Sequence, residues 1–169
     1  MIKTIGLIMI VTSCSMMGIS LSSDLRRRSQ ALKAHISALQ LIRTEILYKN
    51  TPLEMILAML SDACGAQAVQ FYQKTFAMAA QGMAFSTAAE RHCQMLKKEG
   101  LTAEDIDVIR GACQVLGRYD SASQSERLQN AVRLLEGNLD ELKGVLHAKG
   151  RIYRAVGATV GIVLALIVL

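Results

Sequence analysis

The sequence contains no tryptophan, a single proline and only 4% aromatic residues. One proline, and few β-branched residues in the middle of the chain, argue against an all-β sandwich or barrel. The four cysteines, at positions 14, 64, 93 and 113, form no CxxC pair, so neither a zinc knuckle nor a disulfide scaffold is indicated. There is no Walker A loop, no GxGxxG and no HExxH. There is also no GxSxG and no kinase signature. His35, His92 and His147 are far apart, and the adjacent pair His92–Cys93 points in two directions on a helix and cannot chelate alone. Packed or exposed roles fit these histidines better than ligation. No catalytic, cofactor-binding or metal-binding residue is indicated, and an enzyme would need convergent polar groups that the sequence does not display.

What the sequence does have is apolar, helix-forming length. The chain of 169 residues is 51% apolar, too apolar for a disordered protein and long enough for one domain with additions. Ala, Leu, Gln, Glu, Lys and Met favour helix. Thr4 to Leu21 carry no charge, and at about 1.5 Å per residue they span roughly 27 Å, close to a bilayer core. Ala155 to Leu169 are also uncharged, extended by Ile152 and Tyr153, with Arg151 and Arg154 placed to snorkel. A buried core helix is the other reading of this tail, but an uninterrupted apolar run fits an anchor better. Arg26, Arg27 and Arg28 follow the first run, and Lys149, Arg151 and Arg154 precede or enter the second. Both clusters flank the same middle segment, so the positive-inside rule puts that segment in the cytoplasm and both termini on the far side. The expected organisation is an anchor over 1–23, a cytoplasmic helical bundle over 24–150 and a membrane helix over 151–169. A rival reading treats the N-terminus as a lipoprotein signal ending at Val11-Thr12-Ser13-Cys14. The apolar run continues past Cys14, however, and the triple arginine would then have to cross the membrane.

The chain's pI of about 9.2 does not point to nucleic acid. Without Lys3 and the six juxtamembrane cations, 12 of the 19 basic residues remain against 14 acidic ones. The excess positive charge sits at the expected membrane edges, where anionic lipid headgroups attract it. No basic stripe with interleaved aromatics is left.

The middle segment reads as successive amphipathic helices. Leu32, Ile36, Leu39, Ile42 and Ile46 recur at helical spacing between Arg26 and Tyr48. Thr51-Pro52-Leu53-Glu54 is a helix start, with Thr51 as cap, Pro52 at the first position and Glu54 closing a capping box. That second helix runs through Ile56, Leu57 and Leu60 toward Cys64-Gly65. A third ends near Gln81-Gly82. Ser86 or Thr87 can cap a fourth, ending by Gly100. Thr102 with Asp105 caps a fifth, whose Glu104, Asp105 and Asp107 suit the helix dipole. Asp120 or Ser121 caps the last. In that last helix Leu128, Val132, Leu135, Leu139, Leu142 and Leu146 form a heptad seam, which either packs on the bundle, the favoured reading, or pairs with another copy. Gly137, Gly144 and Gly150 each cost the helix about 1 kcal/mol. Cys64, Cys93 and Cys113 fall on apolar faces and read as small core residues. Gly157 and Gly161 form a GxxxG that permits close helix packing or self-association in lipid.

The stretch Leu39–Glu54 (LQLIRTEILYKNTPLE) resembles the signature of the stage III sporulation protein AB family: an apolar helix with Glu-Ile-x-Tyr, then Thr-Pro-Leu opening the next helix. The matching residues are Glu45, Ile46, Tyr48, Thr51, Pro52 and Leu53. Leu116-Gly117 with Asp120 and Gln124 is similar to the family's LGxxDxxxQ. Anchor, helical body, long final helix and apolar end follow in the family's order over nearly the whole chain. Met55-Ile56, where small residues are often seen, and His35 in an apolar face are departures that bear on local packing. The resemblance implies an all-α fold of about six helices, like the cytoplasmic domains of the type II secretion F protein. It also implies a role in endospore formation, in the mother-cell membrane facing the forespore, within the transenvelope channel complex. The implied partners are the stage III sporulation protein AA ATPase and other mother-cell channel components. Two functions follow as expectations: a membrane platform that docks the ATPase, or a purely structural self-assembling component. By their chemistry alone, Glu45 and Tyr48 are placed to hydrogen-bond across the Thr51–Pro52 corner, and Gly117 and Asp120 stop and cap helices at the later one.

Overall fold

A computed structural model of the chain describes the backbone of residues 2–49, 55–56, 59–60, 64–116 and 120–168, and the side chains of 23–48, 55–56, 59–60, 64–66, 68–116 and 120–146. Among the described residues all regular structure is helical. The elements are α1 (Ile2–Thr44), a π-turn (Glu45–Lys49), α2 (Ala66–Ala80), α3 (Phe85–Lys98), α4 (Ala103–Val115) and α5 (Ser121–Val168). The expected second helix is described only at 55–56 and 59–60, which are helical. There Ile56 and Leu60 are fully buried while Met55 and Met59 face out, as one amphipathic face requires. Thr51, Pro52, Leu53 and Glu54, which carry the predicted start of that helix, lie outside the described residues.

The chain divides into two compact units. One is Arg27–Asp140; the other unites Met1–Arg26 with Glu141–Leu169. No helix among the described residues is long and apolar enough to cross a membrane. The side chains of both uncharged ends, where the sequence places its spans, lie outside those residues.

Within Arg27–Asp140 the core follows the predicted spacing. Leu32, Leu39 and Ile42 of α1 are fully buried, with Phe71 and Tyr72 of α2, Leu96 of α3 and Ile109 of α4. α2 packs on α3, and α3 on α4. The α5 seam is consumed inside the chain: Leu128, Val132, Leu135, Leu139 and Leu142 are all buried, with Leu146 half-buried. The favoured reading of that seam, packing rather than pairing, holds.

The helix ends show why the chain turns where it does. α2 and α3 close with left-handed glycines, Gly82 at φ 92° and Gly100 at φ 85°. Met83 N–H then reaches Met78 O at 3.2 Å, and Leu101 N–H reaches Leu96 O at 3.4 Å, the six-to-one bond of a Schellman stop. Buried Leu101 supplies the hydrophobic contact that accompanies it. α4 starts with a full capping box between Thr102 and Asp105. The start of α3 differs from expectation. The helix begins at Phe85 after Ala84, with no side-chain cap, rather than at a Ser86 or Thr87 cap. The Phe85 ring packs edge-on against Phe76, 5.1 Å between centroids.

Candidate functional site

Two buried polar clusters tie the helices together. The first is built on Asp105 at the start of α4, whose side chain is fully buried. Arg28 of α1 grips it with both prongs of its guanidinium, Nε to Oδ2 at 2.8 Å and Nη2 to Oδ1 at 3.1 Å. Arg28 Nη2 also donates to Thr102 Oγ1 at 3.2 Å. Thr102 N–H donates to Oδ2 at 3.0 Å, and Asn138 Nδ2 of α5 donates to Oδ1 at 2.8 Å. One carboxylate therefore joins α1, α4 and α5. Burial alone would raise its pKa, but the donors from Arg28, Thr102 and Asn138 prevail and hold it below the usual carboxylate range. Sequence reasoning read Asp105 as a dipole acid and Arg28 as a membrane-edge cation. The structure turns the Arg28 head onto Asp105, with its side chain 21% exposed. Arg26 and Arg27 are exposed. Asn138, between Gly137 and Leu139 on α5, was not singled out by the sequence reading.

The second cluster is centred on His35, fully buried on α1. Its Nε2 lies 3.0 Å from Glu99 Oε2, and its Nδ1 lies 3.3 Å from the Tyr72 hydroxyl. The ring also meets Phe71 and Tyr72 edge-on, at 5.9 and 5.6 Å. Burial first, then the neighbouring Cys113, Cys64 and Glu99, push the Tyr72 phenol well above its ordinary value, so it remains a hydroxyl. In the tautomer protonated at Nε2, the ring donates to Glu99 and accepts from Tyr72, satisfying all three groups. His35 had seemed an anomaly on an apolar face; Glu99 and Tyr72, distant in sequence, are what make it compatible with burial. Among the described residues no buried side-chain nitrogen or oxygen lacks a partner, and no group of three or more His, Cys, Asp and Glu residues could hold a metal. Both clusters are closed networks that fasten helices.

The family-motif residues have different fates. Glu45 is buried and engaged. Tyr48, in the π-turn, is 74% exposed; the Thr51–Pro52 corner across which the two were expected to bond lies outside the described residues. Gly117 lies outside the described residues. Asp120 caps α5 as predicted, accepting from Ser123 N–H at 3.1 Å; the Ser123 hydroxyl first, then that N–H, lower its carboxyl pKa. Gln124 sits in the same first turn, its N–H donating to Asp120 O at 3.0 Å. Lys149, Arg151, Arg154, Gly157 and Gly161 fall on α5, where side chains are outside the described residues. Of the three expected core cysteines, Cys113 is buried, while Cys64 and Cys93 are half-buried. Burial pushes the Cys113 thiol up to about 12.

Curated protein sequences give no match to this chain. A solved structure, "Stage III sporulation protein AB (SpoIIIAB)", is similar in fold, with a TM-score of 0.60 at 21% identity. The likeness covers 72% of this chain and 97% of that one. The family model described as stage III sporulation protein AB matches residues 3–169. With the helical bundle and the motif order, that match over almost the entire length shows that the chain belongs to the stage III sporulation protein AB family.

Proposed function

We propose that this protein is a non-enzymatic, membrane-anchored platform in the sporulation channel complex, holding a helical bundle on the mother-cell cytoplasmic face for a secretion-type ATPase. Family membership supports the sporulation setting. Uncharged runs at both ends, each bordered inward by arginine or lysine, support two anchors with the bundle between them. The observation that carries the docking role is Tyr48. It belongs to the family motif, follows a buried Glu45, and nevertheless stands 74% exposed. A large aromatic side chain exposed to this degree is suited to a protein partner.

Topology is the first test. A single cysteine at exposed Gln94, in a chain otherwise free of cysteine, meets a membrane-impermeant maleimide in intact and permeabilised mother cells. Labelling only after permeabilisation is expected. Labelling in intact cells overturns the platform and favours the lipidated reading at Cys14. The second test is retention of the ATPase by the full chain in lipid nanodiscs. Tyr48→Ala should lower retention at least several-fold with unchanged thermal stability. Equal retention by Tyr48→Ala moves the docking surface elsewhere, and no retention by the folded wild-type chain leaves the self-assembling structural component as the function.

A further inference from the structure

Asp105 does two jobs with one carboxylate. It is the third residue of α4 and closes that helix's capping box, its Oδ2 accepting Thr102 N–H at 3.0 Å. The same group is the acceptor on which α1 and α5 meet. Oδ1 takes Arg28 Nη2 at 3.1 Å and Asn138 Nδ2 at 2.8 Å, and Oδ2 takes Arg28 Nε at 2.8 Å. Neither α1 nor α5 can keep its bond if the start of α4 unwinds.

The positions of the donors give this sharing a consequence. The compact unit runs from Arg27 to Asp140. Arg28 is its second residue, and Asn138 is the third from its end. α1 and α5 are also the helices that run on past those boundaries, α1 back to Ile2 and α5 to Val168. The carboxylate therefore grips both helices where they leave the unit. Direct hydrogen bonds between α1 and α5 are found further in: Gln40 Nε2 to Glu136 Oε1 at 3.2 Å, and Arg43 to Ser125 Oγ at 3.0 Å and Gln129 Oε1 at 3.3 Å. Gln40 lies 12 residues beyond Arg28, about 18 Å along the helix.

The gripping turn is itself exposed. Thr102, Ala103 and Glu104 all face solvent. First turns unwind more readily than helix interiors, because their N–H groups have no partners within the helix. Unwinding this one takes the acceptor away from both neighbours at once. The Arg28 head, 21% exposed, and the half-buried Asn138 amide then regain an acceptor from water only if that end of the bundle opens.

We propose that the first turn of α4 is a latch: while it is wound, Asp105 holds α1 and α5 together at the end where both leave the unit. When it unwinds, the two helices part there and stay joined at the level of Gln40 and Arg43. By linkage the dependence runs both ways, so whatever draws α1 and α5 together also protects the start of α4. The latch needs no ATPase, so it and the platform reading fail separately.

Distances between paired spin labels test it, in the full chain in lipid nanodiscs and in a background otherwise free of cysteine. One pair replaces exposed Arg27 and Glu141, at the gripped end. A second replaces exposed Thr44 and Glu126, beside the Arg43 contacts. Ala103→Gly with Glu104→Gly loosens the first turn of α4 without altering any residue of the hub. In moderate urea, which brings partial opening into range, the two glycines should raise the fraction of long distances several-fold at the first pair and leave the second unchanged. Asn138→Leu removes the α5 arm. It should lengthen the first pair's distances by itself, and the glycines should then add little. A first pair that does not respond to the glycines overturns the proposal. So does an equal response of both pairs, which marks a uniform loss of stability. A full response to the glycines in Asn138→Leu overturns it too, since the coupling would then bypass Asp105.

Discussion

A fully buried carboxylate survives in this bundle because four donors converge on it. Removing Asp105 strands the Arg28 guanidinium and Asn138 at once. Asp105→Ala should therefore destabilise the bundle by about 3 kcal/mol, read as a lower denaturation midpoint at neutral pH. The pH dependence has a definite sign. The folded carboxyl is depressed below its unfolded value of about 4, so its contribution is present above that pH and is lost as pH falls through the folded value. The gap between wild type and Asp105→Asn should accordingly be widest near neutrality and shrink below about pH 4. This hub was half legible. Thr102–Asp105 announced a capping box, and the structure has one. Arg28 and Asn138 could not be assigned to it, because sequence spacing says nothing about which charged residue of one helix meets the N-terminus of another.

Elements were more legible than their junctions. Periodicity of Leu, Ile and Val located the buried faces of α1 and α5, and Gly82 and Gly100 marked two stops, because those signals are local. The start of α3 was misplaced because a ring contact between Phe76 and Phe85, not a hydroxyl, fixes it. That start is improvable. Ala84 has the extended backbone of a cap, φ −62° and ψ 138°, and is exposed. Ala84→Ser should supply the missing side-chain acceptor and stabilise the protein by about 0.5–1 kcal/mol in a urea titration. The π-turn after α1 was equally hidden, since nothing in Glu-Ile-Leu-Tyr-Lys departs from ordinary helical composition. On α5, a Cβ at Gly137 would meet nothing within 4 Å. Gly137→Ala should thus raise stability by about 1 kcal/mol through helix propensity alone, with no change in the core. A loss on that substitution would mean that Gly137 is reserved for a close neighbour.

At the scale of the whole molecule, the apolar seam of α5 is buried within the chain. A surface that buries Leu128, Leu135 and Leu142 inside the chain is not available for pairing copies. Cys113 sits in that same interior, fully buried. With a thiol held at about 12, it carries almost no thiolate at physiological pH and has no path to reagent. That makes it a native clock. In a chain whose Cys14, Cys64 and Cys93 are serine, modification by a thiol reagent requires the interior to open. The slowing relative to the denatured chain then reads the opening equilibrium directly, without denaturant extrapolation. Reagent uptake should slow on adding any ligand that binds only the closed bundle, and quicken in Asp105→Ala by the factor that its lost stability dictates. A thiol with no chemistry of its own thus lets the folded protein report how often it comes apart.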